Sequence, residues 1–327
     1  MTRKAGCSLT LALLTVACVP DAGGPVEPPG SPARARDYIE EVVGLMQTHS
    51  VRRLEIDWEA FRDSVFSTAA EARTIEETYP AIRVALKLLG DGHTSFRAVT
   101  GDVIFERTRA CVAFVPRALP ELPAGIGYVR IPGFGGTPDE ATGFAQAIQE
   151  AIRLQDREDM GGWIVDLRGN PGGNMWPMIA GVGPILGEGT AGYFIHPDGT
   201  ERIWGYRAGI AQLDDAAAQN VSEPYRLKRE SPRVAVLTDG RVASSGEAVA
   251  IAFKKRPETR FFGSATCGLS TANQGFAMSD GAALVLTVAL MADRTGQTYG
   301  NQVLPDEYDG DANGVVLRAA EWLQSPN

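Results

Sequence analysis

The stretch Trp163-Ile164-Val165-Asp166-Leu167-Arg168-Gly169-Asn170-Pro171-Gly172-Gly173 limits the possible folds more than any other part of the chain. Its opening residues are apolar and strand-forming, the pattern of a short strand buried in a core. The run then breaks into a glycine-rich turn, where proline cannot donate a hydrogen bond and glycine accepts backbone angles other residues avoid. Such a turn can aim bare backbone N–H groups at a single point, as the stabilisation of a developing oxyanion requires.

Around this strand the apolar pattern divides the chain. From Ala33 to Gly90 apolar residues recur at helical spacing, as in Ile39, Val42, Val43 and Met46, or Ile82, Val84, Leu86 and Leu89. Gly90 is placed to cap the last of these helices. Beyond Asp102 short apolar runs alternate with helical segments: Cys111 to Val115, Ile126 to Ile131, Trp163 to Leu167, Val234 to Leu237 and Ala283 to Ala292. A helical subdomain at 33–97 followed by an α/β body at 98–327 is expected. One helix start is well signed: Thr137 as N-cap, Pro138 at the first position and Glu140 completing a capping box. Residues 208–231 show no clear pattern and read as a lid or surface excursion.

The N-terminus reads as an export signal, with Arg3 and Lys4 ahead of an apolar run, Ser8 to Ala17, too short to span a bilayer. Leu14-Thr15-Val16-Ala17-Cys18 resembles a bacterial lipobox, so residues 1–17 are expected to be removed and Cys18 to carry lipid. Residues 18–32, rich in Pro and Gly, then form a tether to the membrane. The expected location is the bacterial cell envelope. The formal net charge of -9 argues against nucleic acid as a partner, because phosphate binding needs a basic face.

Several chemistries lack their signatures: there is no HExxH helix, phosphate loop, dinucleotide glycine fingerprint or CxxC pair, so no metal or cofactor is expected. What stands out is Ala243-Ser244-Ser245-Gly246-Glu247 between an apolar strand and a helix-forming run. A serine at that junction is exposed at a helix N-terminus, where N–H groups and the helix dipole favour negative charge. On its own it reads as a helix N-cap, and Val242 breaks the GxSxG elbow pattern.

Together, DLRGNPGG (Asp166 to Gly173), LGDGHTSF (Leu89 to Phe96), VASSGEAVA (Val242 to Ala250) and DGAALVLTVALMADRTG (Asp280 to Gly296) with Leu304-Pro305-Asp306 resemble the carboxyl-terminal processing (tail-specific) protease family. The closer likeness is to its tricorn-core and interphotoreceptor retinoid-binding branch. The resemblance implies a Clp protease/crotonase-like ββα spiral and a serine peptidase of envelope polypeptides. Ser244 is the implied nucleophile, with Ser245 as the competing assignment, and the N–H groups of Gly172 and Ser245 would form the oxyanion hole.

Two departures from the family pattern carry consequences. Leu269 stands where better-known members place a lysine base, and the interval from Arg97 to Ile126 is too short for a PDZ domain. A serine hydroxyl still needs a proton acceptor, and the resemblance to the tricorn branch singles out His93 over His49 and His196. Asp306, Asn273 and Asp91 are all candidates to orient its ring, and the choice stays open. Arg168 and Asn170 are expected to pin the turn, and Lys254 and Lys255 to meet the end of their helix. Cys111 and Cys267 read as two separate buried thiols, with pairing as the alternative. Competing functional readings are a lipophilic-ligand or peptide binding module on the same fold, or a serine hydrolase of esters or cell-wall components.

Overall fold

The structure, a computed structural model, describes residues 32–108, 110–113, 118–311 and 313–326. The export signal, Cys18 and residues 18–31 of the tether lie outside the described residues.

Three helices open the fold: α1 (Pro32–His49), α2 (Trp58–Thr68) and α3 (Tyr79–Leu89). Asp57 caps α2 by accepting from the N–H groups of Glu59 and Ala60. Gly90 ends α3 at φ 62°, its N–H returned to Leu86 O. Short strands β1 (Ser95–Arg97) and β2 (Val103–Phe105) follow.

The body comprises β3 (Ile126–Arg130), α4 (Pro138–Gln155), β4 (Gly162–Asp166), α5 (Met175–Leu186), β5 (Gly189–Ile195), β6 (Glu201–Arg207), β7 (Ile210–Leu213) and β8 (Ala216–Asn220). It continues through β9 (Arg233–Thr238), α6 (Ser245–Phe253), β10 (Thr259–Gly263), β11 (Thr271–Ala277), β12 (Ala283–Asp293), β13 (Glu307–Tyr308) and α7 (Gly314–Gln324). The expected capping box on α4 is present, with Thr137 N–H donating to Glu140 and Glu140 N–H returning to Thr137 Oγ1.

Two sheets result. A parallel sheet runs β13-β10-β9-β4-β3, and an antiparallel sheet runs β2-β1-β12-β5-β6-β7-β8 with β11 also paired to β12. β4 is buried along its whole length. Trp163 and Val165 face the core under α4, α5 and α6, whereas Ile164 faces the core under α7. That two-sided cover explains why its sequence is continuously apolar. The N-terminal helices bury Ile39, Val42, Met46 and Leu86 against Phe96, Leu284 and Leu286 of the antiparallel sheet. A strong apolar stripe on α1 and α3 therefore finds its partner on β12.

The structure differs from the sequence-based expectations in three places. Residues 208–231 are not without regular structure, since they hold the β7–β8 hairpin, whose β8 is mostly exposed and alanine-rich and so lacks an apolar alternation. Of the run expected from Cys111 to Val115, residues 111–113 are irregular and 114–115 lie outside the described residues. Cys111 and Cys267 are joined in a disulfide, Cα atoms 5.1 Å apart, rather than standing as separate thiols. They meet because Val112 N–H donates to Gly240 O and Cys267 N–H to Val242 O, which brings both segments onto the turn that follows β9.

Candidate active site

The turn after β9 carries Ser244. Asp239 Oδ1 accepts from Arg241 N, Val242 N and, across from β4, Gly169 N, and Ala243 N–H donates to Asn170 O at 3.0 Å. The two turns are thereby stitched together. Ser244 sits at φ 52° and ψ -121° ahead of α6, a conformation that non-glycine residues adopt at a cost of about 1–3 kcal/mol and only when their surroundings impose it.

Those surroundings include Glu247, which is fully buried. Its carboxylate accepts from Ser244 N at 3.0 Å, Leu269 N at 2.6 Å, Gly268 N at 2.8 Å and the Thr266 hydroxyl. Burial pushes its carboxyl up to about 7, against the pull of these four donors. One carboxylate thus ties the strained serine to the segment in which Leu269 replaces the lysine.

The turn after β4 packs against this one. A side chain at Gly173 would lie 2.0 Å from Phe134 O, and one at Gly172 would meet Ala243 O and Ser244 Cβ within 3 Å, so neither position admits one. Gly172 N–H donates to Asn170 Oδ1 at 2.9 Å. The N–H expected to serve as an oxyanion donor is thus engaged by the Asn170 amide, which is buried between Ile131 O and the turn. No hydrogen bond engages Gly173 N–H or Ser245 N–H among the described residues. The Ser245 hydroxyl donates to Gly173 O. Arg168 grips Asp166 with two nitrogens, so Arg168 and Asn170 serve the turn, as expected. Lys254 departs from expectation: its ammonium reaches Leu304 O and the Phe261 ring rather than its own helix end.

His93 comes from the antiparallel half, in the loop between α3 and β1. Asp91 holds the loop as an Asx turn, accepting from His93 N at 2.9 Å and Thr94 N at 2.7 Å. His93 Nε2 lies 3.0 Å from Ser244 Oγ although the residues are 151 positions apart. Its Nδ1 lies 2.7 Å from Thr271 Oγ1 at the start of β11. Desolvation lowers the imidazole to about 4, with Asp91 pulling the other way, so the ring is neutral at physiological pH.

None of the three carboxylate or amide candidates touches the ring. Asp91 binds backbone, Asn273 Nδ2 donates to His93 O at 3.0 Å, and Asp306 is engaged by Phe261 N–H on β10. Sequence reasoning missed Thr271, Gly173 and the role of Glu247. Only the placement of Thr271 just after the departed lysine position could have drawn attention to it.

Ser244 and Thr271 open on a cleft of about 540 Å³, with Trp176, Phe194, Val288 and Met291 on its apolar walls. A second cavity of about 490 Å³, beside Tyr206 and Tyr225, contains no nucleophile and base in contact.

Comparison with known proteins agrees with this architecture. The sequence profile of peptidase family S41 matches residues 125–308, more than half of the chain, and the chain belongs to that family. It is 28% identical over 295 residues to the nisin-resistance protein of Lactococcus lactis subsp. lactis, covering 90% of this chain and 88% of that relative. Among solved structures it is similar to a lipoprotein from Streptococcus agalactiae, with a TM-score of 0.68 and 22% identity over 91% of this chain and 98% of that one. The photosystem II D1 C-terminal processing protease superposes with a TM-score of 0.57 and 17% identity over 88% of this chain and 97% of that one. The carboxyl-terminal processing fold is therefore present, and no PDZ domain lies between β1 and β3 among the described residues.

Proposed function

We propose that this protein is a serine peptidase of polypeptides in the cell envelope, working by acyl transfer. The observation that carries the reading is the 3.0 Å contact between His93 Nε2 and Ser244 Oγ on a backbone held at positive φ. His93 accepts the Ser244 proton as Oγ bonds to the scissile carbonyl carbon. The carbonyl oxygen becomes an oxyanion that the N–H groups of Ser245 and Gly173 receive. The amine then leaves with the proton from His93, and water attacks the acyl-enzyme, returning its own proton through the same imidazole.

A polypeptide substrate suits the cleft. Among the described residues β11 is paired to β12 alone, so its other edge offers backbone groups beside Ser244, of the kind an extended peptide pairs with. The envelope assignment rests on the export signal and on Cys18 as lipid anchor. It is supported by likeness to proteins named as a lipoprotein and a nisin-resistance protein.

The test is labelling of the folded protein with a fluorophosphonate. Wild type and Ser245→Ala should label at Ser244, while Ser244→Ala abolishes labelling and His93→Ala slows it by about 10⁴-fold or more. Unlabelled, folded wild type would leave the ligand-binding reading of the fold.

A further inference from the structure

The acyl-transfer reading needs His93 in one tautomer. For Nε2 to take the proton of Ser244, the ring must carry its own hydrogen on Nδ1, and something must accept that hydrogen. In a Ser-His-Asp arrangement a carboxylate does so. We infer that here the hydroxyl of Thr271 does it, making Thr271 the positioning residue that sets His93 as a base.

The geometry carries the inference. Thr271 Oγ1 lies 2.7 Å from Nδ1, and the residue is 8% exposed. Its N–H is tied to Leu269 O at 2.8 Å, and its β-branched side chain has few rotamers, so the oxygen is aimed by its strand. The competing acceptors are engaged elsewhere. Asp91 takes His93 N, Thr94 N and the Thr94 hydroxyl, and Asn273 Oδ1 takes the Thr287 hydroxyl. Among the described residues the ionisable groups nearest the ring are Asp91 on its own loop, which acts on it directly, Glu247 on α6 behind Ser244, and Arg107 and Arg241 on the cavity beside Gly92 and Ala243. β11 and β12 contribute Thr271, Asn273 and Thr287, none of them ionisable. The imidazolium formed during attack therefore faces a neutral oxygen at Nδ1, and its proton is held less firmly than it would be beside a carboxylate.

The consequence differs from that of a packing role. Thr271→Val should slow fluorophosphonate labelling about 10- to 100-fold, the effect of leaving one buried N–H without an acceptor. Thr271→Ser restores the oxygen and should restore labelling. Thr271→Asp places an anion at Nδ1 and should move the acid limb of the labelling rate to higher pH.

A readout independent of activity is the downfield Nδ1 proton resonance of His93. It should be present in Ser244→Ala and lost in the Ser244→Ala, Thr271→Val double variant. A Thr271→Val protein that labels at the wild-type rate with the wild-type acid limb overturns the inference, as does a resonance that survives in the double variant. Folded wild type that takes no label overturns the acyl-transfer reading, an outcome distinct from the behaviour of the resonance.

Discussion

The two halves of the candidate site are held in different ways. Ser244 stands on the parallel sheet, in a turn anchored by two fully buried side chains, Asn170 and Glu247, and by the half-buried Asp239, which join it to the β4 turn, to α6 and to residues 266–269. His93 stands on a loop of the antiparallel half, braced by the local Asx turn of Asp91 and by two side chains of β11. The strained residue has the deep scaffold, and the residue that must exchange protons has the lighter one. Backbone strain at the serine persists only where many contacts oppose relaxation. The imidazole, by contrast, needs its aim fixed at two atoms.

The largest effect that separates the halves should come from Glu247→Gln. Its Oε2 accepts from both Ser244 N and Leu269 N, and its Oε1 from Gly268 N and Thr266. An amide nitrogen in either place turns toward donors, which costs about 2–4 kcal/mol of stability, together with loss of labelling. Urea unfolding measures it, and a midpoint unchanged from wild type would break the contrast between the halves. Asn273→Ala removes the brace on His93 O from an exposed position. It should cost at most about 1 kcal/mol of stability and slow labelling by about tenfold or less. If Asn273→Ala unfolded the protein as readily as Glu247→Gln, the base loop would belong to the same rigid unit as the serine.

The same contrast decided what could be read from the sequence. The nucleophile side is local: an apolar strand, a glycine turn and a serine ahead of an acidic N3 residue all fall within short stretches, so Ser244, Ser245 and the helix start were legible. His93 was legible only through its resemblance to a family branch, since nothing nearby in sequence marks it as a base. Its ring partner lies 178 positions away, on a strand whose sequence Thr-Ala-Asn-Gln-Gly-Phe-Ala has no clear alternation. Threonine is common at strand starts, so Thr271 carries no chemical signature of its own. Asp306 and Asp91 were nominated because they are carboxylates, but Asp306 closes β10 and Asp91 folds its own loop. The engagement of Gly172 N–H by Asn170, which folds back onto it, is a two-residue contact that a glycine pattern cannot reveal. Pairing of Cys111 and Cys267 stood only as an alternative because they are 156 positions apart and meet through the turn after β9.

The sharpest comparison of the two halves is their opposite response to pH. Burial lowers the His93 imidazole to about 4 from an ordinary 6.5 and raises the Glu247 carboxyl to about 7 from an ordinary 4.5. Between pH 4 and 6.5 the unfolded chain binds more protons at His93 than the native one, so the contribution of His93 to stability is complete above 6.5 and is lost as pH falls. At Glu247 the native state binds more protons, so its contribution is complete below 4.5 and is lost as pH rises through 7. Urea unfolding of wild type, His93→Gln and Glu247→Gln at several pH values from 4.5 to 7 isolates each group. The stability of wild type minus that of His93→Gln should rise with pH across this window, while wild type minus Glu247→Gln should fall. If the second difference also rises, the four donors outweigh burial and Glu247 is ionised in the native state throughout. The strained serine would then be anchored by a permanent anion, and the base half alone would respond to acid.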